Sequence, residues 1–126
     1  MQREELFAAI DGSWSAETSS SREWSRENRS LGQCAVTACV IQDYLGGDIL
    51  NTVATLPDGT TDSHYYNSID DEEIDRTRGQ FPEGTTYTEG TPKTQGCDTT
   101  RDYILSNINT KIRYHLLRSG VGLRLR

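Results

Sequence analysis

The stretch NRSLGQCAVTACVIQDYLGG, residues 28–47, decides how the chain is read. Within it Cys34, Ala38, Ile41 and Leu45 recur at three- and four-residue spacing, and Val36 and Val40 make the other side apolar as well. This pattern predicts a helix over 34–45 that is buried around most of its circumference. Gly46 and Gly47 stop it, since glycine suits the left-handed cap. Cys34 stands at the first helical position, directly behind a Gly-Gln turn. A cysteine that fills a core needs no such placement. A thiolate gains from it, because the free N–H groups and dipole of a helix N-terminus favour an anion and can hold an oxyanion.

Further along, DILNTVATL (48–56) is rich in β-branched residues, PDGT makes a turn, and DSHYYNSI (62–69) reads as the partner strand. DDEE reads as a tight acidic turn and IDRT (74–77) as a third short strand. The result is an antiparallel meander packed on the Cys34 helix. Alternation puts His64, Tyr66 and Ser68 on one strand face. Asp75 lies across one hairpin from His64, where adjacent strands can set the two side by side. Cys34 is then the candidate nucleophile and His64 the group that deprotonates it or pairs with it as imidazolium. Asp75 fixes the ring's tautomer and tilt. Asn28 is a candidate oxyanion donor through its side-chain amide, and Gln33 is the alternative.

The flanks carry less chemistry. REELFAAI (3–10) predicts a short helix stopped by Gly12, and WSAETSSSREWSREN (14–28) a polar loop whose tryptophans pack back onto the body. Residues 78–96 read as a loop with Phe81 as a core plug. DTTRDYILSNINTKIRYHLLRS (98–119) predicts one long helix capped by Asp98 or Thr99, with Ile104, Ile108, Ile112 and Leu116 as its buried stripe. Leu105 and Leu117 widen that stripe, and Gly120 ends the helix. Residues 120–126 are expected to form a basic tail free to flex.

The 126 residues suffice for one α+β domain. A formal charge of −6 argues against non-specific nucleic-acid binding, which needs clustered Lys and Arg. No apolar run is long enough to span a membrane, and the N-terminus has no signal-peptide centre, so a cytoplasmic location is expected. With three cysteines at least one thiol is free, and a reducing compartment leaves all three so. No glycine pattern calls for a phosphate cofactor, and the acidic turn lacks the alternating ligands of a calcium loop. Cys39 reads as a buried apolar residue, Cys97 as incidental and His115 as solvated.

GQCAVTA, then HYYN, then IDRTRGQF together resemble the YunG-like family of small bacterial proteins, over roughly residues 6–82. More distantly, the order Cys, His, Asp is similar to the papain-like and transglutaminase-like superfamily. Its members start a helix with G-x-C and place histidine and an acid or amide on consecutive strands. The resemblance implies a papain-like core with Cys34 as nucleophile, His64 as base and Asp75 as orienting acid. Asn28 stands where papain-like enzymes carry an oxyanion glutamine, and the change shortens its reach by one carbon.

The expected function is thiol-dependent hydrolysis or acyl transfer on an amide or ester of a peptide or small molecule, without a metal. Two rivals use the same residues. One is a binding module that keeps the fold and lacks the chemistry. The other is a structural zinc site drawn from Cys34, Cys39, His64 and Cys97.

Overall fold

The computed structural model describes residues 2–126. Over that range the chain forms four α-helices and one curled four-stranded antiparallel sheet, an α+β arrangement. Helix α1 spans Arg3–Ser13 and α2 spans Cys34–Leu45. Strands β1 (Asp48–Thr55), β2 (Thr61–Ile69) and β3 (Glu72–Ile74) follow as a meander. A short 3₁₀ turn at Arg78–Gln80 leads to β4 (Thr86–Tyr87), and α3 (Thr100–Leu105) and α4 (Ile108–Arg124) close the chain. The sheet order is β3-β2-β1-β4.

Helix α2 forms where its apolar pattern predicts, and Val36, Ala38, Cys39, Val40 and Ile41 are all buried. Below it lies one face of β1 and β2, with Ile49, Asn67 and Ile69. Asn67 satisfies itself there by donating from Nδ2 to the Ala38 carbonyl at 2.9 Å. Leu6, Ile10, Leu117 and Val121 bring α1 and α4 onto the same core. Asp43, near the end of α2, pairs with Arg101 and Arg118 and accepts from the Tyr114 hydroxyl, which ties α2 to α3 and α4. Trp14 packs back as expected, its indole donating to Thr37 Oγ1 at 3.0 Å.

Several expectations are corrected. The acidic turn is Asp70-Asp71 alone, both residues left-handed, because Ile69 pairs with Glu72 across a two-residue hairpin loop. β3 therefore starts earlier than predicted and stops at Ile74, so Asp75 follows the strand instead of lying in it. The segment 78–96 contains β4, whose Thr86 and Tyr87 pair with the edge of β1.

The long C-terminal helix is two helices. Asn107 accepts from the Thr110 N–H at 3.0 Å and begins α4 anew. That restart turns Ile108, Ile112 and Leu116 to solvent and buries Tyr114, Leu117 and Val121. Gly120 does not stop the helix. A Cβ there would lie 3.1 Å from Ser13 Oγ, so glycine lets α4 cross close to α1. The helix continues to Arg124, and the basic tail is mostly part of it.

Candidate active site

Cys34 is placed by the loop before it. Gly32 has a φ of +73°, and a Cβ on it would come within 2.4 Å of Ser19 Oγ and 2.7 Å of the Ser21 backbone nitrogen. Only glycine fits both demands. Its N–H donates to Gln80 Oε1 at 3.2 Å, fastening the loop to the segment after β3. Helix α2 then starts at Cys34 with no side chain capping its first turn. The first N–H groups of such a helix have no partner within it, which suits them to an anion.

His64 sits on β2, opposite Thr52 of β1, and is fully buried. The Phe81 ring meets it edge-on with centroids 5.1 Å apart, and Tyr87 lies 6.2 Å away. The β2–β3 register, continued by one residue, sets Asp75 opposite Tyr66. His64 is two residues from Tyr66 on the same face, so the ring and the carboxylate meet diagonally. His64 Nε2 and Asp75 Oδ2 are 2.7 Å apart. Arg78 Nε donates to the same oxygen at 3.0 Å, and the Thr77 N–H donates to Oδ1 at 3.3 Å. Burial works against the Asp75 charge, but His64, Arg78 and Thr77 outweigh it and hold its pKa below the usual value.

Burial by itself would push the His64 pKa down. The bond to Asp75 and the adjacent Cys34 thiol act in the opposite sense and prevail, raising it to about 9. The ring is therefore an imidazolium at neutral pH. Its second nitrogen, Nδ1, is buried and lacks an aligned hydrogen bond. Cys34 is half-buried and near enough to act on the ring, without closing that bond.

The structure thus brings Cys34, His64 and Asp75 together. It places Asn28 and Gln33 nearby but occupies both. Asn28 Nδ2 donates to the Gln80 carbonyl at 3.3 Å. Gln33, fully buried, donates from Nε2 to Ser15 O at 3.0 Å and accepts from Thr18 Oγ1 at 2.9 Å. Their amides hold loops, which leaves the uncapped first turn of α2 as the donor set nearest Cys34. Arg78 was not singled out from the sequence, although its place three residues after Asp75 was the available signal. Tyr65 was also missed. It borders the cavities beside Cys34, and burial pushes its pKa up to about 12, so its hydroxyl stays neutral. Among the described residues no three His, Cys, Asp or Glu side chains converge as a metal site would need, and the zinc grouping is not assembled.

The three blocks resembling the YunG-like family surround this site, and the family comparison covers far more than those blocks. A family model described as "YunG protein" matches residues 2–126. The chain belongs to the YunG family. A relative from Bacillus subtilis (strain 168), "Uncharacterized protein YunG", is 45% identical over 69 residues, covering 55% of this chain and 54% of the relative. That similarity therefore spans about half the length of the YunG relative. No solved structure matches the chain significantly. Among the described residues no helix is long and apolar enough to cross a membrane.

Proposed function

We propose that this YunG-family protein is a thiol-dependent acyl transferase or hydrolase that uses Cys34, His64 and Asp75. The observation that carries this reading is the buried His64 ring, bonded to Asp75 through Nε2, with Nδ1 unpartnered and Cys34 near enough to act on the ring. The order and roles are similar to those of papain-like enzymes, and a papain-like core is part of the proposal. In the reaction the Cys34 sulfur attacks an amide or ester carbonyl, and the first-turn N–H groups of α2 receive the oxyanion. His64 gives its proton to the leaving amine or alcohol as the C–N or C–O bond breaks. Water or an amine then attacks the thioester, the proton it loses returns to His64, and the S–C bond breaks to release the acyl product and restore the Cys34 thiolate. The substrate class is a peptide or a small amide or ester, and a cytoplasmic setting accords with three free thiols.

The test is iodoacetamide alkylation across pH, read at each cysteine by mass spectrometry, on wild type and His64→Gln. Cys34 is expected to label at least about ten-fold faster than Cys97 at neutral pH, and the variant to lose that advantage. Equal rates at Cys34 and Cys97 in the wild type would remove the nucleophile from the free protein. They would favour the second reading, a binding module of the same fold. The engagement of both Asn28 and Gln33 in loop contacts is the observation on that side.

A further inference from the structure

The cavity that opens on Cys34 has a volume of about 180 Å³, and its wall includes Ser20, Ser63, Tyr65, Thr110 and Arg113. A second cavity of about 390 Å³ shares Ala35, Tyr65 and Thr110 with it and extends toward Tyr103 and Asn107. The two adjoin through these shared residues, in a cleft region bounded by α2, β2, α3 and the start of α4. The chain carries 19 acidic residues and a charge of −6, yet no Asp or Glu lines either cavity. Two cations stand at this cleft. Arg113 is half-buried in its wall and donates to Thr110 Oγ1 at 3.0 Å. Lys93 lines neither cavity but reaches the rim, its Nζ 3.5 Å from Oγ of the lining residue Ser63. Among the described residues neither cation has a carboxylate within 4.0 Å; Arg22, Arg26, Arg29, Lys111, Arg124 and Arg126 share that property, and the position at the cleft is what sets Arg113 and Lys93 apart. Away from this cleft, a groove of about 390 Å³ lined by Gln42, Asp48 and Arg101 includes none of the triad.

We infer that the substrate delivered to Cys34 carries a carboxylate, held by Arg113 and Lys93 beside the carbonyl that the sulfur attacks. This rests on the nucleophile reading above and adds the substrate class: an amide or ester of an acid-bearing molecule, such as a peptide with a free carboxylate near the scissile bond. A guanidinium fork and a nearby ammonium suit a carboxylate, and an acid-free wall leaves their field uncancelled.

The test compares iodoacetate with iodoacetamide at each cysteine of the same molecule. Both reagents form an S–C bond and release iodide, and they differ in carrying a carboxylate or a neutral amide. The iodoacetate-to-iodoacetamide rate ratio at Cys34 is expected to exceed that at Cys97 by about ten-fold. Arg113→Gln and Lys93→Gln should each lower it, and Arg113→Lys should keep most of it. A fast Cys34 with the same ratio as Cys97, or a ratio untouched by either glutamine variant, overturns the carboxylate site and leaves the nucleophile standing. A Cys34 slow toward both reagents overturns the nucleophile and this inference with it.

Discussion

Asp75→Asn destabilises the protein by about 3 kcal/mol near neutral pH and weakens the alkaline fall in its stability. The amide keeps the shape of the carboxylate and loses its charge. His64 Nε2 and Arg78 Nε both meet Asp75 Oδ2, and the Asp75 side chain is only 7% exposed. Removing one partner of a buried ion pair costs about 3–5 kcal/mol, and the lower end applies because His64 can shed its proton. Linkage gives the same order: a rise from 6.5 to about 9 in the folded state, shared between Asp75 and Cys34, corresponds to about 3 kcal/mol. Because the folded pKa of His64 lies above the unfolded one, its contribution is complete below 6.5 and fades as pH climbs through about 9. Asp75 runs the other way. Its folded pKa is depressed, so its contribution is present above the ordinary carboxylate pKa and is lost in acid. In the variant the Asp75 contribution is gone and only Cys34 still opposes burial at His64, so the fall in stability between 6.5 and about 9 shrinks. Urea denaturation at a series of pH values measures both effects. A variant with wild-type stability and a wild-type slope would contradict the pairing.

Leu117→Ala costs about 2–5 kcal/mol, whereas Ile112→Ala stays within about 0.5 kcal/mol. Leu117 is fully buried against the core shared by α1, α2 and α4, and truncation leaves a cavity there. Ile112 is 54% exposed, and alanine is the better helix former. The urea midpoints of the two variants, taken together, decide the rotation of α4. If Ile112→Ala were the costlier change, the helix would present the opposite face to the core.

Those two residues also show where sequence patterning stops being informative. Ile104, Ile108, Ile112 and Leu116 repeat every fourth residue, which looks like a buried stripe. A strict four-residue repeat drifts around a helix of 3.6 residues per turn. More decisively, Asn107 starts a new helix inside the run. The Ser106-Asn107 pair was the signal, since such side chains compete for backbone partners and favour caps. Helix α2 was legible because its apolar residues surround the axis and two glycines close it. β4 was not, being two residues long and defined only by pairing with the edge of β1.

At the candidate site the histidine and acid were legible from one hairpin, which fixes both by local register. Asn28 and Gln33 looked like oxyanion donors because only their distance from Cys34 is visible in sequence. Their actual partners, Gln80, Ser15 and Thr18, come together through folding. Arg113 lies far along the chain from Cys34 and shares a cavity with it only in three dimensions.

The central claim is that one imidazole is shared between Asp75 and Cys34. NMR titration of the His64 ring in wild type and Cys34→Ser tests it most directly. His64 is expected to titrate at about 9 in the wild type, and the serine variant to lower that value because the thiol's contribution is gone. A wild-type ring that titrates at or below 6.5, or a value unmoved by Cys34→Ser, would contradict the account.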